Sequence, residues 1–255
     1  MSQVRYEVQD AVATIALAAP PINTLNLERL EAVLDGFRRA AADEAVRAVI
    51  LASDVPGFFS AGLDIEILRD QSGRMVRSLL DHLYTEMTDI PHHLGKPSIA
   101  AVGGAARGGG MTLAVSCNVI LAGRGATFGY PEVNIGVPPA IHLSHLPRIV
   151  GRHRAFELLF SGRAFGPEEA ERLGLVSRVV EDVALMDEAR TLARTFAEKS
   201  PTVMRQGHAA FMTANDVGYR GDVAAAVETF CSIAGGDDAR EALAAFLEKR
   251  PPAFD

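Results

Sequence analysis

The chain has 255 residues, 48% of them hydrophobic, and a formal net charge of −7. The apolar share supports a full core and excludes global disorder. The acidic balance, without any Lys/Arg cluster, argues against a nucleic-acid footprint and against a basic membrane-binding face. Two cysteines, Cys117 and Cys231, make no disulfide framework, and no apolar run nears the roughly 18 residues that span a membrane. The opening Met1-Ser2-Gln3-Val4-Arg5-Tyr6 lacks the basic start and apolar block of a signal peptide, so a soluble, cytoplasmic protein is expected.

Strands are expected at 5–8 and 11–17, turned at Gln9-Asp10. Pro20 and Pro21 make 19–23 a rigid loop, because each fixes φ and removes an N–H donor. Asn26 is placed to cap a helix in which Leu27, Leu30, Val33, Leu34 and Phe37 recur at helical spacing. Residues 46–52 are almost continuously apolar, as in a strand buried on both faces, and a loop over 53–64 follows. Val76, Leu79, Leu80, Leu83, Met87 and Ile90 mark a second amphipathic helix within 71–90, expected to stop before Pro91.

A strand at 99–102 then runs into a glycine-dense turn, a helix-like segment leaves it over 109–116, and another strand falls at 119–122. This alternation predicts an α/β fold with parallel strands. Beyond about Val180 the strand signals stop, and 183–199, 201–213, 217–233 and 239–250 read as helices. The chain thus divides into a 1–195 core carrying the site and a 196–255 helical region suited to oligomerisation.

Two loops bear chemistry. In the first, Pro56-Gly57-Phe58-Phe59-Ser60-Ala61-Gly62-Leu63-Asp64-Ile65, backbone N–H groups are free to meet a ligand, and Asp64 is also a candidate helix cap. In the second, Gly108-Gly109-Gly110 opens a helix, where the macrodipole favours negative charge. No Lys-Ser/Thr follows the glycines and the spacing does not fit G-x-G-x-x-G, so a nucleotide cradle is poorly supported. Amides at Leu63 and Gly109 would instead make a two-donor oxyanion hole for a thioester carbonyl. Glu132, in Phe128-Gly129-Tyr130-Pro131-Glu132, supplies one carboxylate nearby in sequence. His142 and His145 are three apart but lack a third ligand at metal-site spacing.

Taken together, these segments resemble the crotonase superfamily, the enoyl-CoA hydratase/isomerase family, over nearly the whole chain. The resemblance runs from Pro21-Ile22-Asn23-Thr24-Leu25 through both loops to Ala170-Glu171-Arg172-Leu173-Gly174-Leu175-Val176 and the closing Phe246-Leu247-Glu248-Lys249-Arg250. It implies a spiral of ββα turns with a helical C-terminal trimerisation region, a homotrimer or dimer of trimers, and an acyl-CoA substrate with no separate cofactor. By resemblance, Glu132 is the acid/base, and the Leu63 and Gly109 amides are the oxyanion donors. Ala61, Asp64 and Ile65 fall where the family folds around the CoA adenine, and Gly108 and Pro131 flank the reacting groups. Phe246 and Lys249 resemble positions that reach a neighbouring subunit's CoA, or else form an ordinary helix end. Arg107 is either a core-edge cation or a partner for CoA phosphates.

One departure bears on the reaction. The family's hydratases carry a glutamate just after the glycine turn, where this chain has Thr112. A threonine hydroxyl is no base near neutral pH and at most positions a water. One carboxylate suffices to shuttle a proton along an allylic system, and the 20–25 and 53–64 segments look like those of Δ3,Δ2-enoyl-CoA isomerases. The expected reaction is therefore the 3-enoyl to 2-enoyl shift, with hydration or thioester hydrolysis as alternatives and a non-catalytic CoA-binding scaffold below them.

Overall fold

The computed structural model describes residues 3–70 and 73–254, without the side chains of 68–70. Gln71, which opens the expected second helix, and Met1 and Ser2 of the N-terminal reading lie outside these residues. Strands β1 (Val4–Gln9) and β2 (Val12–Leu17) pair antiparallel. Their turn sits one residue later than expected, at Asp10 and Ala11, both with positive φ, which suits the twist of a two-residue hairpin. After β3 (Thr24–Leu25), Asn26 caps α1 (Leu27–Ala42), its side chain accepting the Arg29 N–H at 2.9 Å. Leu30, Val33, Leu34 and Phe37 form the buried stripe of that helix.

Next come β4 (Ala48–Ser53), β5 (Phe58–Ser60), β6 (Gly62–Leu63) and α2 (Ile65–Asp70). The expected second helix is α3 (Gly73–Leu80), a π-helical stretch Asp81–Glu86 and α4 (Met87–His92). It passes the expected stop: Pro91 stands in the last turn, and His93 N–H closes the end on the Asp89 carbonyl at 3.1 Å. Two further repeats follow, β7 (Ser98–Val102), β8 (Ala105–Arg107) and α5 (Gly109–Val115), then β9 (Val119–Gly123), β10 (Thr127–Gly129) and a 3-10 turn Pro131–Ile135. Helices α6 (His142–Val150) and α7 (Arg152–Ser161), strand β11 (Ala164–Phe165), α8 (Pro167–Arg172) and β12 (Arg178–Val180) complete the core. Helices α9 (Leu185–Ala197), α10 (Pro201–Asn215), α11 (Tyr219–Ala234) and α12 (Asp237–Glu248) end the chain.

Each repeat places its longer strand in one sheet and its shorter strand in another. The first sheet runs β1-β2-β4-β7-β9-β12 and is parallel apart from the opening hairpin. The second runs β11-β10-β8-β5, parallel except for β11. This is the expected α/β spiral of ββα turns. The first sheet is apolar on both faces because both are covered. Val49, Leu51, Ala100 and Val102 meet the main core with α1 and α5, while Ile50, Ile99, Ala101 and Leu121 meet Leu185, Ala189 and Ala193 of α9. By contrast α10 buries none of its side chains, and Val203 and Phe211 stand exposed on it.

Candidate active site

The site forms where the second sheet hands the chain to its helices. Strand β8 lies between β5 and β10, so the chain ends leaving β5 and β8 come together. Contact there is backbone to backbone. A Cβ added to Gly62 would lie 2.7 Å from the Arg107 carbonyl oxygen and 3.1 Å from Gly109 N, at a φ of +89°, so only glycine fits. One added to Gly109 would lie 3.5 Å from Leu63 N. The Leu63 and Gly109 amides, 46 residues apart in sequence, are thereby brought side by side. Gly109 opens α5, so its N–H has no intrahelical acceptor. Leu63 is aligned by the parallel pairing of β6 with β3, and Asn23 pins that region. The buried Asn23 amide accepts the Ala19 N–H at 2.8 Å and donates to Ser53 Oγ at 2.8 Å and to the Phe59 carbonyl at 3.0 Å.

These amides line a cavity of about 330 Å³ whose walls are mostly apolar. Gly108, Pro131 and Glu132 line it together with Ala61, Asp64 and Ile65. Glu132 is buried in the 3-10 turn, and neither carboxylate oxygen has a hydrogen-bond partner among the described residues. Loss of water around it pushes its pKa up to about 8, with its own backbone N–H pulling weakly the other way. The carboxylate also packs on the glycine turn, since a Cβ on Gly108 (φ +49°) would meet Glu132 Oε1 at 3.1 Å. The Glu132 carboxylate and the Leu63 and Gly109 amides therefore share one small apolar chamber. Asp64, the other carboxylate on the wall, is engaged as a helix cap, Oδ1 accepting the Glu66 N–H at 3.1 Å.

Of the other sequence-derived candidates, Phe246 shares this wall and the rest lie elsewhere. Thr112 is fully buried beside the cavity rather than on its wall, with Oγ1 3.2 Å from His142 Nε2. His142 is likewise fully buried, and desolvation, with His145 adding to it and a bond to the Gly108 carbonyl opposing it, pushes its pKa down to about 3, so it is a neutral imidazole. Arg107 is a structural cation: its guanidinium donates to the Thr127 carbonyl at 2.7 Å and to Thr127 Oγ1 at 2.8 Å, tying β8 to β10. Helix α12 packs on the Pro131–Ile135 turn of its own chain, and Phe246 lines that chain's cavity. Lys249 is exposed at the end of α12, off the cavity wall. Among the described residues, no group of three or more His, Cys, Asp or Glu is arranged to hold a metal ion.

Sequence reasoning missed Tyr84, Ile135 and Phe230 as wall residues. Tyr84 and Phe230 meet edge to face at 6.5 Å between centroids. The one available signal for Tyr84 was a hydroxyl-bearing ring beside Leu83 on the apolar face of its helix.

Comparison with known proteins agrees with this architecture. The sequence profile described as enoyl-CoA hydratase/isomerase matches residues 7–255. The chain belongs to the enoyl-CoA hydratase/isomerase family. A Bacillus subtilis protein named probable enoyl-CoA hydratase is 35% identical, over 100% of this chain and 99% of the relative. Escherichia coli 2,3-dehydroadipyl-CoA hydratase is 30% identical, again over 100% of this chain and 99% of the relative. Among solved structures, an enoyl-CoA hydratase/isomerase from Pseudoalteromonas atlantica superposes with a TM-score of 0.89 at 28% identity, covering 100% of both chains. The crotonase-type spiral is thus shared along the whole length, helical C-terminal region included.

Proposed function

We propose that this protein acts on an acyl-CoA thioester through an enolate held by the Leu63 and Gly109 amides, and that its reaction is the shift of a 3-enoyl double bond to the 2-position. The observation that carries this reading is the partner-free Glu132 carboxylate in the apolar chamber beside both amides, with Thr112 turned into the protein interior. The Glu132 carboxylate removes a C2 proton, and the electrons of that C–H bond spread over the thioester oxygen and C4 as a dienolate. The same carboxyl then returns the proton to C4, leaving the C2–C3 double bond and a regenerated carboxylate. Nothing else is consumed. Preorganised amides facing the developing oxyanion supply several kcal/mol in sites of this type.

Hydration is the second reading, and the names of the relatives favour it. It would need a group to activate water, and no second partner-free carboxylate lines the cavity among the described residues. Assaying 3-enoyl-CoA and 2-enoyl-CoA side by side separates the two. Hydration of the 2-enoyl thioester with no movement of the 3-enoyl bond would sink the isomerase reading. We further read 196–255 as an assembly region for a trimer or dimer of trimers, on the exposed apolar face of α10. A monomer by sedimentation at micromolar concentration would refute that.

A further inference from the structure

We propose that Thr112 and His142 form a positioning pair that fixes the Gly108–Gly109 peptide relative to the segment bearing Glu132. The Gly109 N–H belongs to the same planar unit as the Gly108 carbonyl, so whatever holds one aims the other. That carbonyl accepts the Thr112 N–H at 3.1 Å. Thr112 Oγ1 in turn meets His142 Nε2 at 3.2 Å, with both residues fully buried. On its other side the imidazole packs on Tyr130, ring centroids 4.6 Å apart, two residues before Glu132. One ring therefore touches the helix that presents the oxyanion donor and the segment that presents the base.

Helix α5 is seven residues long and lacks a side-chain N-cap, so its buried packing over Gly109–Ala114 and this polar contact together set its rotation. The ring meets both the Thr112 hydroxyl and the Gly108 carbonyl, while Nδ1 has no partner among the described residues. With the proton on Nε2, the ring donates toward the Gly108 carbonyl and the Thr112 hydroxyl, and only a lone pair is left unpaired at Nδ1, cheaper to bury than an unpaired N–H. Where the family's hydratases place a carboxylate, this chain has a hydroxyl that points inward and acts through the backbone.

The inference rests on the oxyanion reading of Gly109, and the test separates the two. Calorimetry would compare binding of acetoacetyl-CoA, which binds an oxyanion hole as its enolate, with butanoyl-CoA, which cannot form the conjugated enolate. The near-ultraviolet enolate band gives a second readout. Thr112→Val and His142→Phe should each weaken enolate binding about 10–100-fold while leaving butanoyl-CoA within about twofold. Their double variant should be no worse than the poorer single, since the two act as a unit. Thr112→Ser, which keeps the hydroxyl, and His142→Gln, whose amide reaches the Nε2 position, should regain most of the affinity. If His142→Phe does not fold, the Thr112 valine and serine variants decide alone. Equal weakening of both ligands, or losses that add, would overturn the positioning role. Wild-type protein with no preference for the enolate would instead overturn the oxyanion reading and the pair's role with it.

Discussion

Replacing Glu132 with glutamine should stabilise the protein in alkaline solution while it destroys turnover. Burial raises the carboxyl from 4.5 to about 8 on folding. Below pH 4.5 both folded and unfolded chains are protonated there, and no ionic cost arises. Between 4.5 and 8 the unfolded chain releases the proton while the native chain holds it, so stability falls as pH rises; above 8 the loss levels off. A span of roughly 3.5 pH units at about 1.4 kcal/mol each sets a ceiling of about 5 kcal/mol. The cavity opens to water, which screens part of this, so about 2–4 kcal/mol is the expected loss between pH 5 and pH 9. Glutamine matches the shape and carries no charge at any pH, so it escapes the loss. At about 2–4 °C per kcal/mol for a chain of this size, the melting-temperature gap between Glu132→Gln and wild type should be about 5–15 °C wider at pH 9 than at pH 5. Thermal scans of both proteins at the two pH values test this. A gap that is constant, or narrower at pH 9, would refute the desolvated-carboxylate argument.

The same variant should lose about 10²–10⁴-fold in turnover of a 3-enoyl-CoA, the contribution of a positioned base; full activity would remove Glu132 from the mechanism. For wild type, kcat/KM on that substrate should rise with pH and level off above about 8, since the base must be ionised in the free enzyme. A reaction in which Glu132 begins as a proton donor would fall with pH over the same range, so the slope alone distinguishes the two. Gly62→Ala drives a Cβ to 2.7 Å from the Arg107 carbonyl at a φ of +89°, parting the two amides. It should cost about 10²–10³-fold in kcat with the fold retained, as loss of an oxyanion donor does. Asn23→Ala removes three hydrogen bonds, two of them buried, and should lower unfolding stability by about 2–4 kcal/mol, read from urea denaturation.

How much of this was legible in the sequence followed from the range of the forces involved. The helix α1 with its Asn26 cap and the continuous apolar strands of the first sheet rest on contacts near in sequence or on simple burial, and both were readable. The strands of the second sheet were read as loops. Three of them, β5, β8 and β10, are three residues long, and all owe their conformation to partners tens of residues away. Pro91 misled because it stands in a last turn, where its missing N–H costs only the pairing of the Met87 carbonyl while His93 closes the end on Asp89. At the site, the Leu63 and Gly109 amides were placed by resemblance, while the reason they meet, the missing Cβ of Gly62 against the Arg107 carbonyl, needs coordinates.

Thr112 marks the limit most sharply. From sequence it is defined by the carboxylate it replaces, which suggests a catalytic group weakened to a hydroxyl. In the fold that side chain leaves the cavity and spends its hydrogen bond on a buried, neutral His142, thirty residues on. Burying a glutamate at this point would place a second carboxyl close to Glu132, in a region already dry enough to raise the first. The hydroxyl avoids that like-charge penalty and leaves Glu132 to titrate alone. The proposed single-base chemistry rests on what the cavity lacks and on the tie that Thr112 and His142 make between α5 and the segment of Glu132. Thr112→Glu would then yield no hydratase, because the new carboxyl would break the His142 contact before it could reach water. Gain of 2-enoyl-CoA hydration in that variant, with 3-enoyl turnover intact, would show that the inward threonine is an accident of descent rather than part of the site.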